Sequence, residues 1–184
     1  MAMSNTTKMA NRYGLDIVLT SLSDSTKTAT IDFANEVSIE VTGEITWATG
    51  GQGHTKMIGF KDPKEGSIKI STQIVNMQIL ALLSDGNPFD TNAKVSFKDD
   101  ILVAPKYYKI EGKTVWQDES GNVYNETITA YKALVKPNYN AVYNGSGDPI
   151  SIDLEFELAS DSDGNFLDIE RAEQTTNPPA GGQG

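Results

Sequence analysis

Alternation of apolar and polar side chains at every second position is the feature that most constrains this chain. The clearest run extends from Glu36 to Trp47, where Gly43 is the one interruption of the apolar row. Similar alternation recurs in segments 15–19, 28–33, 68–70, 95–97, 108–110, 124–135 and 150–158. A period of two is typical of strands with one buried face, so we expect a mainly β chain of about eight to ten strands.

One segment follows a helical period instead. Between Gln73 and Ser84, the apolar residues Val75, Ile79 and Leu82 are spaced at i, i+4 and i+7. This stripe predicts one α-helix over residues 73–84. A helix with so many apolar positions must be covered, so the pattern favours a β-sandwich or barrel with one flanking α-helix.

A long protruding hairpin is predicted over residues 36–60. At roughly 3.3 Å per residue, a strand from Glu36 to Trp47 would reach about 40 Å, more than the width of a small sandwich. It leads into a glycine-rich tip, and residues 54–60 can return as its partner strand. Because an isolated hairpin is marginal in water, we expect this arm to pack on another chain. The alternatives are a mobile surface hairpin, or two ordinary strands with a break at Gly43.

The remaining domain boundaries follow from the polar, turn-rich ends. We expect an N-terminal arm over residues 1–12, a single domain over 13–172 and a flexible C-terminal tail over 173–184. The sequence has no apolar signal-peptide core near its start and no apolar stretch of about 18 residues. Neither export nor membrane insertion is therefore predicted, and the expected compartment is the cytoplasm.

Charge and composition exclude several functions. The 184 residues include 15 Lys and Arg against 25 Asp and Glu, a net charge of −10, which disfavours a protein that grips nucleic acid. There is no cysteine and a single histidine, His54. The acidic run at Asp161 departs from a calcium loop, since its glycine, Gly164, falls at the fourth position rather than the sixth. We predict that the protein is not an enzyme and has no catalytic, cofactor-binding or metal site.

One strand carries a ladder of acids. Between Ser151 and Leu158, the residues Asp153, Glu155 and Glu157 share one face of the predicted strand, and apolar residues occupy the other. A solvated outer face explains such a ladder. An alternative is a wall past which a polyanion moves without being held, because acidic surfaces repel phosphate as basic grooves bind it.

Two segments support a family resemblance. The run G-F-K-D-P-K-E-G-S-I-K-I-S-T-Q-I-V-N-M-Q-I-L-A-L-L-S-D-G, residues 59–86, follows the predicted arm, and the acidic run D-P-I-S-I-D-L-E-F-E-L-A-S-D-S-D-G-N-F-L-D-I occupies residues 148–169. Together they resemble the major tail tube proteins of long-tailed bacteriophages, a superfamily that includes the tubes of tailocins and type VI secretion systems. The resemblance extends over about residues 12–172 and rests on the order of elements.

The resemblance implies a structural virion protein. Its copies would form hexameric rings that stack into a tube, and viral DNA would pass transiently through an acidic lumen without adhering. Further implied partners are the tail tape-measure, tail-tip and terminator proteins. The implied location is the virion tail, with assembly in the host cytoplasm.

The resemblance also assigns two sets of residues. The hairpin tip would form the contact between successive rings, and the acids would be candidates for the lumen wall. The implied inter-ring residues are Ala48, Thr49, Gly50, Gly51, Gln52, Gly53 and His54. The candidate lumen acids are Glu36, Glu40, Asp153, Glu155 and Glu157.

Two other functions remain open from the sequence. The first is the tube of a contractile injection system, a tailocin or type VI secretion system, with the same fold and ring. The second is a monomeric β-sandwich that binds a carbohydrate or protein on an aromatic platform. The aromatic residues available for that platform are Trp116, Tyr107, Tyr108, Tyr139 and Tyr143.

Overall fold

The computed structural model describes residues 8–11, 14–31, 34–50, 55–73, 77–84, 94–97, 104–136, 138–140 and 151–173. These residues form eleven strands and one helix. The strands are β1 (Met9–Asn11), β2 (Asp16–Ser21), β3 (Thr28–Ile31), β4 (Ala34–Thr42), β5 (Ile45–Gly50), β6 (Thr55–Lys61), β7 (Glu65–Thr72), β8 (Tyr107–Asp118), β9 (Val123–Val135), β10 (Ile152–Ala159) and β11 (Leu167–Glu173). The helix, α1, is Met77–Leu83. The prediction of a mainly β chain with one helix is confirmed.

Nine of the strands form one antiparallel sheet. Its order is β3-β2-β8-β9-β10-β7-β4, and β1 pairs with β8 while β11 pairs with β9. β9 is the organising strand, because β8 pairs along nearly its whole length, β11 pairs with its first half and β10 with its second half. The sheet therefore divides at β9 into a β10-β7-β4 part and a part built from β3, β2, β8 and β11.

The two parts of the sheet face each other across the core. Val37 and Ile39 of β4 line a cavity of about 250 Å³ together with Thr114 of β8 and Ile128 of β9. Leu154 of β10 is fully buried in the apolar cluster that joins both parts. Burial of such residues is the main favourable term in folding. This arrangement of two facing parts agrees with the predicted β-sandwich or barrel.

The helix is shorter than the sequence predicts. The described helix is Met77–Leu83, Gln73 lies in a bend, and residues 74–76, including Val75, fall outside the described residues. Ile79 and Leu82 of the predicted stripe are both buried in the core. The Ser84 backbone N–H donates to the Leu80 carbonyl in the last turn. In the part of the chain that the structure describes, no helix has the length and apolar character to cross a membrane.

Two predicted strands differ from the structure. The run from Glu36 to Trp47 is not one strand, since β4 ends at Thr42 and β5 begins at Ile45. The break falls at Gly43, as the alternative interpretation had it, because a glycine lacks the side chain that packs a strand. Residues 94–97 alternate in sequence but form no strand.

The predicted hairpin is therefore built in two stages. β4 pairs with β7 inside the main sheet, and β5 pairs with β6 as a separate two-stranded sheet. The break between them is bridged, because the Asp62 backbone N–H donates to the Glu44 carbonyl and the Thr46 hydroxyl donates to the Asp62 carboxylate. We call β5 and β6 the distal hairpin.

Candidate assembly surfaces

All five candidate lumen acids lie on the same face of the β10-β7-β4 part of the sheet. The pairing of β7 with its two neighbours sets Glu36 in line with Asp153, and Glu40 in line with Glu157. On β10, Glu155 lies between Asp153 and Glu157. Since strands are about 4.8 Å apart, the acids of β4 stand roughly 10 Å from those of β10. We call this surface the acid face.

The central strand of the acid face carries no acid between these two columns. Ser71, Lys69 and Ser67 of β7 occupy the positions between the acids of β4 and β10. Glu65 extends the face at the other end of β7, opposite Thr42. The surface is thus two acidic columns that flank a column of two serines and one lysine.

One of the five acids is paired. The Lys136 ammonium donates to the Glu155 carboxylate at 2.8 Å. This hydrogen bond lowers the pKa of Glu155 below its usual value, helped by the nearby charges of Lys136 and Lys69. The same contact raises the pKa of Lys136. Glu155 therefore adds less free negative charge to the face than its position suggests.

The acid face carries a groove that is lined mainly by polar and charged side chains. A groove of about 680 Å³ runs along it, lined by Glu36 and Ser38 of β4, Lys69 of β7 and Asp153 of β10 among others. The hydroxyls of Ser71 and Ser151 hydrogen-bond across the strands at 2.9 Å. Such a surface holds water and counter-ions and repels anions. Within the described residues, no three His, Asp or Glu side chains come together as a metal site.

The distal hairpin exposes apolar side chains on both of its faces. One face carries Ile45 and Trp47, and the Trp47 ring lies against Gly59 of the opposite strand. A Cβ at Gly59 would come within 3.2 Å of both Ile45 and Trp47, so the glycine makes room for the indole. The Lys56 ammonium lies 5.5 Å from the centre of the Trp47 ring, and Lys61 is paired with Ile45. We call this side the lysine face.

The opposite side of the hairpin carries Ala48, Ile58 and Phe60, and we call it the uncharged face because these strand residues carry no charge. The Asp62 carboxylate lies at its base, where it accepts the hydrogen bond of Thr46. The large apolar side chains of the hairpin, including Met57 of β6, are between 42% and 69% exposed. A monomer gains nothing from such exposure, which marks interaction sites. Of the predicted inter-ring residues, Ala48, Thr49 and Gly50 belong to β5, and residues 51–54, including His54, lie outside the described residues.

Of the five aromatic residues considered for a binding platform, the four that the structure describes do not form one surface. Tyr108 is buried in the core at 2% exposure. Trp116 lies under the guanidinium of Arg171, and Tyr107 under the ammonium of Lys132. Tyr139 stacks against Phe97 with ring centroids 5.3 Å apart. Tyr143 falls among the residues that the structure does not describe.

Sequence reasoning missed an inward-facing charge cluster near β1. Glu126 is only 4% exposed and forms an ion pair with Arg171, its partner in register on β11. The Arg171 guanidinium stacks 4.1 Å from the centre of the Trp116 ring and also contacts the Met9 sulfur. The sequence did contain a signal for this cluster, because Glu126 alternates in β9 with the buried residues Tyr124 and Ile128 and so lies on the buried side of the strand.

Comparisons with known proteins support the fold. No family model and no curated protein matches the sequence. Among solved structures, a chain of the 6-fold symmetrised cryo-EM structure of the anti-feeding prophage (AFP) baseplate has a TM-score of 0.53 at 13% identity, covering 94% of this chain and 97% of that chain. A crystal structure of an Hcp protein has a TM-score of 0.36 at 11% identity, covering 85% and 97%.

The first of these matches shows a shared fold over nearly the full length of both chains. At 13% identity this likeness extends to the fold alone, and it agrees with the fold that the resemblance implied. The second similarity is too weak to support an argument.

Proposed function

We propose that this chain is the subunit of a tail tube. Copies close into hexameric rings, the rings stack, and the acid face lines the lumen. The observation that supports this most directly is the placement of Glu36, Glu40, Asp153, Glu155 and Glu157 on one sheet face, although β4 and β10 are far apart in the sequence. The fold shared with a chain of a 6-fold symmetrised prophage baseplate gives independent support.

The mechanism is structural and electrostatic. A ring of acid faces sets up a negative potential that falls off over a Debye length of about 8 Å at physiological salt. Phosphates of passing DNA are repelled from every side, and no lysine array is available to release their counter-ions. The DNA therefore stays centred and mobile.

The distal hairpin provides the contact between successive rings. Its apolar side chains on both faces are exposed in one copy, and burying them against neighbours gives the free energy that holds a stack together. The residues at its tip, 48–54, would then approach the next ring.

Charge reversal on the acid face tests the lumen assignment. Asp153→Lys with Glu157→Lys leaves tubes forming and slows DNA passage, measured as delayed genome delivery by particles that carry the variant. Glu155 is left unchanged because Lys136 already pairs with it. Glu119→Lys with Asp163→Lys, in two exposed turns, makes the same change in net charge and is the matched control. Delivery at the normal rate by intact tubes of the acid-face variant overturns the assignment.

A second candidate is the tube of a contractile injection system. The observation in its favour is the match to the anti-feeding prophage baseplate. Affinity purification of native particles through a tag on this chain separates the two functions. A DNA-conducting tail co-purifies with DNA-filled heads, whereas an injection system yields headless particles with a sheath and protein cargo.

A further inference from the structure

The distal hairpin is joined to the main sheet at a break that lies at the same level in both of its strands. Two residues separate β4 from β5, and three residues separate β6 from β7. β4 ends opposite the first residue of β7, and β5 begins opposite the last residue of β6. The ladder therefore stops and starts again at matching positions. We call residues 43–44 and 62–64 the hinge.

Few interactions hold the hinge at one angle. Two hydrogen bonds of the described residues bridge it, from the Asp62 backbone N–H to the Glu44 carbonyl at 3.1 Å and from the Thr46 hydroxyl to the Asp62 carboxylate at 2.7 Å. Gly43 has no side chain to pack, and Pro63 has no backbone N–H to donate to a ladder. The hinge is therefore the weakest point in the connection between hairpin and sheet.

The distal hairpin gains no support from packing on the rest of the subunit. β5 and β6 pack closely on each other, and no other described helix or strand packs on them to a comparable extent. The apolar core cluster includes no residue of either strand. Segments with few buried apolar contacts have low local stability and move. The orientation of the hairpin relative to the main sheet thus depends on the hinge.

We propose that the distal hairpin swings as one unit about the hinge in the free subunit, and that it is fixed at one angle when the subunit joins a tube. The hairpin keeps its own structure during this motion, because β5 and β6 are paired along their length. The fixing step rests on the proposed function, whereas the swing in the free subunit does not.

The swing has a consequence for assembly. Fixing a mobile segment costs conformational entropy, and the contact between rings must exceed that cost before a tube forms. The backbone freedom of the hinge therefore sets the protein concentration at which tubes appear. More freedom raises that concentration, and less freedom lowers it.

Pulsed electron paramagnetic resonance measures the swing, because the natural chain has no cysteine and spin labels can be placed at chosen sites. Labels at Lys56→Cys on the hairpin and Lys113→Cys on β8 report the hairpin angle. Labels at Lys69→Cys and Lys113→Cys, both in the main sheet, are the control. All three lysines are exposed. We expect a broad distribution of distances for the first pair and a narrow one for the control pair.

The same first pair of labels tests the fixing step. In tubes grown from a few labelled copies among many unlabelled ones, its distribution narrows to one distance. An equally narrow distribution for both pairs in the free subunit overturns the swing. A first-pair distribution that is as broad in tubes as in the free subunit overturns the fixing.

Two hinge variants test the link to assembly with opposite signs. A Cβ at Gly43 would meet the Lys64 Cγ at 3.9 Å, an ordinary contact, so Gly43→Ala fits the hinge and restricts it. Pro63→Gly frees it. We expect the concentration at which tubes appear to fall about two- to fivefold in the first variant and to rise by a similar factor in the second. Gly14→Ala is the matched control and leaves it unchanged, because Gly14 lies outside the hinge and has similar room, with the Ala34 carbonyl oxygen at 3.8 Å.

The outcomes separate this inference from the proposed function. Wild-type copies that never assemble contradict the proposed function, and the distances in the free subunit still decide whether the hairpin swings. Wild-type tubes that appear at the same concentration as those of Gly43→Ala, Pro63→Gly and Gly14→Ala overturn the role of the hinge in assembly and leave the tube in place.

Discussion

At the scale of single residues, two turns share the same construction. Asp118 and Asp161 each accept hydrogen bonds from two backbone N–H groups in the following residues, and from the side-chain amide of the asparagine four positions later. In both turns a glycine, Gly121 or Gly164, has a positive φ, of 86° and 83°. The Asp161 carboxylate is thus engaged by its own turn.

These hydrogen bonds lower the pKa of Asp118 and Asp161, with the side chains of Asn122 and Asn165 as the largest cause. A carboxyl whose pKa is lower in the folded state stabilises the fold above its unfolded pKa of about 3.9 and loses that effect as pH falls. We expect Asp118→Asn with Asp161→Asn to lower the thermal midpoint at neutral pH and to flatten its decline below about pH 4. Thermal melts across pH measure both.

The matched control for this prediction is Asp163→Asn, which removes an exposed acid from the same turn without removing the Asp161 acceptor. A double variant whose melting profile parallels that of Asp163→Asn contradicts the role of the two carboxylates.

The Glu126 and Arg171 pair gives a second residue-scale prediction. Arg171→Met leaves the Glu126 carboxylate, which is almost fully buried, without its ion-pair partner. An unsatisfied buried polar group costs about 1–3 kcal/mol and a charged group costs more, so the free energy of unfolding falls by at least about 1 kcal/mol. Adding Glu126→Gln recovers part of it, because the uncompensated charge is gone. Chemical denaturation measures both variants, and equal stability of Arg171→Met and wild type contradicts the prediction.

At the scale of elements, α1 buries its large apolar residues, whereas the distal hairpin exposes them. Ile79, Leu82 and Leu83 of the helix are at most 1% exposed and close the core of one molecule. Ile58 and Phe60 of the hairpin are more than half exposed and have no cover within the chain as described. The helix therefore stabilises the subunit, and the hairpin is available for assembly.

This contrast is testable by substitution. Leu82→Ala lowers the free energy of unfolding by about 2–5 kcal/mol, through lost burial and a residual cavity. Ile58→Ser with Phe60→Ser changes subunit stability by no more than about 0.5 kcal/mol, as expected for surface positions, and abolishes assembly. Denaturation and light scattering separate the effects. A hairpin variant that unfolds as readily as Leu82→Ala shows instead that the hairpin belongs to the core.

Most of the strands and the helix were predictable from the sequence because local periodicity encodes which face of an element is buried. β1 and β11 were not among the predicted segments. Ile79 and Leu82, for example, were identified by spacing alone. The bend at Gln73 was not, because the apolar stripe by itself does not indicate where the helical backbone starts. The pairing of the strands could not be predicted either, because no local signal in the sequence indicates that β7 lies between β4 and β10. That placement aligns Glu36 with Asp153 across Ser71 and puts Lys69 between the two acidic columns.

At the scale of the whole molecule, charge and apolar surface are segregated. The acid face occupies one side of the β10-β7-β4 sheet, while exposed apolar side chains concentrate in the distal hairpin. The proposed tube needs this separation, because its lumen must repel the phosphates of DNA while the contacts between its copies must hold them together. Neither the net charge nor the composition alone predicts where the two kinds of surface lie.

The central claim is that copies of this chain form a tube lined by the acid face. Cryo-electron microscopy of the purified protein over a concentration series tests it most directly. We expect hollow tubes of stacked hexameric rings in which Glu36, Glu40, Asp153 and Glu157 face the lumen and the distal hairpin spans successive rings. Particles that stay monomeric at high concentration, or tubes whose acid face points outward, would contradict the account.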